Sequence, residues 1–355
     1  MQTTYKTLIM GASYGSLLAT KLLAAGHDVK LVCLPAEAET INRDGTRVRL
    51  PIKGREPVEI DSRALPGALS ADVPAAVNPA DYDLVALAMQ EPQYGAPGVR
   101  ELLDKVARGR VPCMSIMNMP PLPFLKRVPG LDTDALKSCY TDPTVWQSFD
   151  PASMTLCSPD PQAFRPPEEA ANVLQVTLPT NFKAARFDSD EPTAMLRRMQ
   201  ADIEAVRFEA GGDRIELPVK LKVHDSVFVP LAKWAMLLTG NYRCVTKDGP
   251  RSIKDAVHTN LAESRSVYDW VRELCIKLGA SPDDLVPFEK YAAAGEGLSR
   301  PSSAARALFA GAPNIERVDR LVQGIAAQKG MRNPLVDETV ALVDARLAAN
   351  RKAAA

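Results

Sequence analysis

The chain has 355 residues, with 43 basic and 43 acidic side chains, 46% hydrophobic and 24% charged. That length predicts about two domains, the apolar share is enough for real cores and too much for disorder, and a formal net charge of zero offers nucleic acid no long-range field. With no apolar window near ~18 residues, no signal-peptide organisation, six scattered cysteines and only His27, His224 and His258, it reads as a soluble, cytoplasmic, metal-free protein with free thiols.

Short apolar runs at 6–10, 29–34, 83–89 and 112–117 read as parallel strands covered on both faces. Between the first two, residues 16–25 carry Leu17, Leu18, Leu22 and Leu23 at helical spacing, with Gly26 as the stop. Strand, turn, helix and strand in about thirty residues make a βαβ unit, and its repetition predicts a doubly wound sheet. Residues 118–167 are rich in proline, which predicts irregular structure beside the sheet edge. Further strands are expected at 173–178 and 181–187, and a helix at 192–206.

Beyond that point, long amphipathic patterns at 227–238, 253–278, 315–329 and 337–351 predict a helical domain, with a frayed end from 350. The expected fold is α/β: a Rossmann-like doubly wound dinucleotide-binding domain over 1–223, followed by an all-α substrate or dimerisation domain over 224–355.

Gly11-Ala12-Ser13-Tyr14-Gly15-Ser16 stands where a dinucleotide-binding turn belongs, although only two of the usual three glycines are present. The helix N-terminus at Ser16 still offers N–H groups to a phosphate. The bland alternative is a glycine-containing turn in a Rossmann-like scaffold. At the tip of the second strand, Leu34 stands where an acid would indicate NAD or an arginine NADP. Glu37, Glu39 and Arg43 come later, so the choice of cofactor stays open.

These residues resemble the ketopantoate reductase family. The likeness runs through Gly15-Ser16-Leu17-Leu18-Ala19, Ala25-Gly26-His27-Asp28-Val29-Lys30-Leu31-Val32 and Ile41-Asn42-Arg43-Asp44-Gly45-Thr46-Arg47. It continues with Asp83-Leu84-Val85 followed by Gln90 and Gln93, and with Ser115-Ile116-Met117-Asn118. Lys233 with Asn241 eight residues later resembles the family's Lys-x3-Asn-x3-Asn helix; Pro301-Ser302-Ser303 resembles its substrate segment, and 330–343 its last helix.

The resemblance implies a C-terminal domain like that of 6-phosphogluconate dehydrogenase and reduction of a carbonyl or imine with NADP or NAD in an interdomain cleft. It implies cofactor contacts from Gly11, Ser13, Tyr14, Gly15, Ser16, Leu34, Gln90 and Gln93. Lys233 becomes the general acid, Asn118 and Asn241 the positioning groups, and Ser302 or Ser303 the substrate holder. Family members often pair through their helical domains, which admits a homodimer.

The departures matter. The middle asparagine of the helix motif is Leu237, the family's arginine is Leu34 and its lysine Gln90. Its carboxylate falls at Asn314 or Ile315 depending on register, with Glu316 the nearest acid. These losses imply a substrate other than ketopantoate. Two rival readings stand: an opine-type dehydrogenase using His224 beside Asp225 or, second, His258 after Asp255, and a non-catalytic nucleotide sensor. Simpler explanations exist for single residues too. Lys233 would snorkel or pair with Asp225, Asn118 would end a strand, Asn241 would cap a helix C-terminus, Ser302 or Ser303 would cap an N-terminus, and Glu316 would be surface charge.

Overall fold

A computed structural model describes residues 3–354. Its contacts form two compact units. One takes the chain to Met89, then Gln93–Phe124 and Val145–Asp225; the other takes Gln90–Pro92, Leu125–Thr144 and the chain from Ser226.

In chain order the first unit contains β1 (Lys6–Met10), α1 (Gly15–Ala24), β2 (Asp28–Val32), α2 (Pro35–Asp44), β3 (Arg47–Leu50), β4 (Val58–Asp61), β5 (Leu69–Asp72) and β6 (Leu84–Leu87). Then follow α3 (Val99–Gly109), β7 (Cys113–Ile116), the single turn α4 (Leu122–Leu125), β8 (Met154–Ser158), β9 (Gln162–Phe164), β10 (Val173–Leu178) and β11 (Phe182–Ala185). The unit closes with α5 (Asp190–Ala205), β12 (Phe208–Ala210), β13 (Asp213–Ile215) and β14 (Leu221–His224).

Eight strands form the main sheet in the order β14-β11-β8-β7-β6-β1-β2-β5. All its pairs are parallel except β8 with β11. From β1 the chain steps outward to β2 and β5, then returns to β6 on the other side, so the strand order reverses between β1 and β6. In open α/β sheets the ligand crevice lies at the carboxyl ends of the strands flanking such a reversal. β6 and β7 are buried at every position, which is why their sequences run apolar without alternation.

The Pro-rich stretch departs from expectation. β8 lies inside the main sheet between β7 and β11, fully buried, rather than in irregular structure at its edge. Pro151 and Pro159 bound this strand instead of interrupting it, so no ladder hydrogen bond is lost. The expected strand at 173–178 is β10, but it belongs to a separate four-stranded sheet, β4-β3-β10-β9.

The second unit is helical: α6 (Lys233–Met236), a π-helical turn (Leu237–Asn241), α7 (Ile253–His258), α8 (Leu261–Leu278), α9 (Phe288–Gly295), α10 (Ser303–Phe309), α11 (Val318–Gln328) and α12 (Pro334–Ala354). The continuous helix expected over 253–278 is two helices. Asn260 ends the first run and caps α8 by accepting from the Glu263 N–H. All six cysteines are free. Among the described residues no helix is long and apolar enough to cross a membrane.

Candidate functional site

The turn after β1 sits at the strand-order reversal and is built from backbone. Gly11 has φ +108°, and a Cβ there would stand 2.7 Å from Met89 Cγ and 2.8 Å from the Ala88 carbonyl oxygen at the end of β6. At Gly15 a Cβ would stand 2.6 Å from Ile9 Cγ2, so this glycine lets α1 lie against β1. The two retained glycines are therefore those for the tight turn and for close helix packing. No side chain caps the start of α1 and no acid lies in its first turn, while the Ser16 and Leu17 N–H groups already donate to the Ser13 and Tyr14 carbonyls at 3.3 and 3.1 Å.

Of the neighbouring residues, Ser13 is exposed, while the Ser16 hydroxyl donates to the Ser13 carbonyl at 2.8 Å. Tyr14 turns away: its hydroxyl donates to the Pro161 carbonyl at 2.7 Å, and burial pushes its pKa up. Gln90 and Gln93 are exposed beyond β6. Asn118 follows β7 at the same sheet edge, and its Oδ1 is buried without a hydrogen-bond partner.

At the tip of β2, Leu34 is 69% exposed. The carboxylate of Glu37 accepts from the Leu34 N–H at 3.4 Å and pairs with Arg165, which follows β9. That pairing was invisible in sequence because 128 residues separate the two.

In the second unit, Lys233, Met236 and Asn241 are half-buried, while Trp234, Ala235 and 237–240 are buried. Two α-turns span about seven residues, so position eight would ordinarily swing off the lysine's face. The π-turn over Leu237–Asn241 takes up one extra residue, which by helical geometry offsets that swing. It also turns Leu237, which stands where the family has asparagine, into the core at 2% exposure.

Side chains hold this turn by its carbonyls. Met236 O accepts from the Tyr291 hydroxyl at 3.1 Å, and Thr239 O from Arg243 at 3.3 Å. Gly240 O accepts from Cys244 Sγ at 3.3 Å, and Asn241 O from the Ser302 hydroxyl at 2.7 Å. Asn241 itself has φ −61° and ψ −49°, right-handed helical values, so it is not the left-handed cap that Gly240-Asn241 suggested.

Ser302 caps α10 by accepting from the Ala305 N–H at 3.1 Å, as the simpler explanation held, while Ser303 is exposed. Glu316 is not a surface charge on a helix. It precedes α11, is 8% exposed, and accepts from the Glu91 N–H at 3.3 Å. Its carbonyl accepts from the Tyr242 hydroxyl at 2.5 Å, next to Asn241 in sequence. Glu91 escaped the sequence reading. It is buried, held by Thr141 through both backbone N–H and hydroxyl, and burial raises its pKa. Asp225, adjacent to His224, pairs with Arg197, and His258 lies 3.2 Å from Glu296.

No protein-family model and no curated protein matches the chain. Solved structures do match over nearly its whole length. A 2-dehydropantoate 2-reductase from Methylococcus capsulatus is 15% identical, with a TM-score of 0.64 and 97% of each chain covered. The fold is that of the ketopantoate reductases. D-mandelate dehydrogenase, solved with NADH and anilino(oxo)acetate, shares it at 14% identity and TM-score 0.62, covering 98% of this chain and 99% of that one. A dimeric ketopantoate reductase from Staphylococcus aureus matches at 9% identity and TM-score 0.57, with 97% and 99% covered.

Proposed function

We propose that this chain is a divergent ketopantoate reductase-like enzyme, an NAD(P)-dependent oxidoreductase that reduces the carbonyl or imine of a small organic substrate other than ketopantoate. The observation that carries this reading is the π-turn between Lys233 and Asn241, whose carbonyls are held by four side-chain hydrogen bonds and whose geometry supports a common face for the two residues.

Gly11–Ser16 would hold the dinucleotide, which would supply the hydride. As a carbonyl carbon is reduced, negative charge builds on its oxygen, and the Lys233 ammonium stabilises that charge and delivers the proton. The Asn241 carboxamide orients the lysine and the substrate without adding charge. Asn118 Oδ1, an acceptor without a partner, serves the nucleotide or substrate. Leu237 faces the core and Ser302 is engaged in capping, so fewer polar groups remain for a substrate than the family pattern provides. This supports a less polar substrate than ketopantoate. The dimeric neighbour supports a homodimer, which sedimentation tests.

The deciding experiment is a thermal-shift titration with NADH and NADPH, followed by nicotinamide absorbance across 2-oxo acids, ketones and imines. The expected result is a rise in melting temperature with at least one nucleotide and turnover with at least one carbonyl class. Absence of any nucleotide effect overturns the reading; binding without turnover on any substrate supports the nucleotide-sensor alternative.

A further inference from the structure

We infer that the Glu37–Arg165 ion pair reads the adenosine ribose and selects a dinucleotide without a 2′-phosphate, so that NADH binds in preference to NADPH. This rests on the proposed dinucleotide site. The adenosine ribose of a dinucleotide lies beside the tip of the second strand, where an acid takes the ribose hydroxyls or a cation takes the 2′-phosphate. Here the tip, Cys33-Leu34-Pro35-Ala36, carries no charge. The charged groups arrive from elsewhere: Glu37 from the first turn of α2, Arg165 from the segment after β9, and Asp72 from the end of β5 with Lys30 beside it at 3.7 Å.

Each cation at this corner is thus already matched by a carboxylate. Arg165 engages Glu37, which offsets its charge, and both side chains are largely enclosed, so the guanidinium is not presented as a free phosphate clamp. Glu37 is fixed by two contacts, the Leu34 N–H and Arg165, yet each carboxylate oxygen retains a lone pair. A carboxylate held in this way accepts hydrogen bonds from ribose hydroxyls and repels a 2′-phosphate. The exposed Leu34 side chain adds an apolar surface on which an adenine can rest. Arg165 is the positioning residue and Glu37 the reader.

The test is direct titration of NADH and NADPH by nicotinamide fluorescence on the full chain, with Glu37→Gln and Arg165→Met beside the wild type. Wild type is expected to bind NADH about tenfold or more tighter than NADPH. Glu37→Gln keeps an acceptor for the Leu34 N–H but removes the charge and releases Arg165. Its NADPH-to-NADH affinity ratio should rise about tenfold to a hundredfold. Arg165→Met should weaken NADH severalfold without any gain in NADPH. Equal or better NADPH binding by wild type overturns the inference and leaves the proposed function standing, as does an unchanged ratio in Glu37→Gln. Wild type that binds neither nucleotide overturns both. Should Glu37→Gln melt early, the wild-type ratio and Arg165→Met still decide.

Discussion

At the turn after β1 two glycine backbones let Ala88, Met89 and Ile9 approach where a Cβ would stand. At the Lys233 segment the backbone is irregular, and four side chains, from Tyr291, Arg243, Cys244 and Ser302, hook its carbonyls. The first arrangement fails when a carbon is added; the second fails also when a side-chain donor is removed. A tight turn against a packed sheet leaves no room for a further Cβ, whereas an i→i+5 turn frees carbonyls that must find donors elsewhere.

Substitutions can break this contrast in order of expected effect. Lys233→Met removes the proposed acid, so turnover should fall about 10²–10⁴-fold while nucleotide affinity is unchanged, as steady-state kinetics and fluorescence titration would show. Loss of nucleotide binding together with turnover would instead place Lys233 in the cofactor site.

Gly11→Ala should do the reverse. Its φ of +108° and the 2.8 Å approach to the Ala88 carbonyl oxygen leave no relaxed position for a methyl group. Stability should drop by about 1–3 kcal/mol and nucleotide affinity should fall sharply, measured by denaturant melts and titration.

Gly240→Ala probes the side-chain-built region by overfilling it, since the new Cβ would overlap the Tyr291 hydroxyl. A loss of about 1–3 kcal/mol is expected, largely relieved in the Gly240→Ala/Tyr291→Phe double variant. A double-mutant cycle that comes out additive would remove Tyr291 from the account.

α1 tests the backbone-built side through pH. Lys21 lies on this helix at 2% exposure, and its ammonium donates to the Pro218 carbonyl at 2.9 Å. Burial, with the Lys220 charge adding, lowers its pKa from 10.5 to about 7. Over that window the unfolded chain keeps a proton that the folded chain has lost, so Lys21 makes stability rise with pH between about 7 and 10.5. Lys21→Met should therefore be the more stable protein near neutrality and lose that advantage as pH climbs, when the unpaired Pro218 carbonyl dominates. Parallel melting curves across the window would show the crossing.

Ser302→Ala should cost the least, about 1 kcal/mol for the lost helix cap, with a few-fold drop in turnover as the Asn241 carbonyl is released. A variant with normal stability and reduced kcat would show that Ser302 acts mainly on the turn.

Much of the first unit was legible because its signals are local. Apolar runs for strands buried on both faces, the leucines of α1 and the two glycines of the turn are all read within a few residues of each other. β8 was missed because its prolines lie at its ends, a distinction between bounding and breaking that only the ladder reveals. In the candidate site the sequence pointed to Lys233 and Asn241 but placed both on an ordinary helix. It could not show Glu91 beside Glu316, or Arg165 beside Glu37, because those partners meet across loops whose path depends on packing.

By itself, then, the chain's order of residues determined the doubly wound sheet, the glycine turn after β1 and the helical character of the second half, since periodicity and glycine placement act over one or two turns of backbone. Tertiary structure alone decided the π-turn between Lys233 and Asn241, the burial of Glu316 and the pairing at the tip of β2. Each of those involves a donor or a charge arriving from a distant segment, and nothing in a local pattern encodes where that segment will lie.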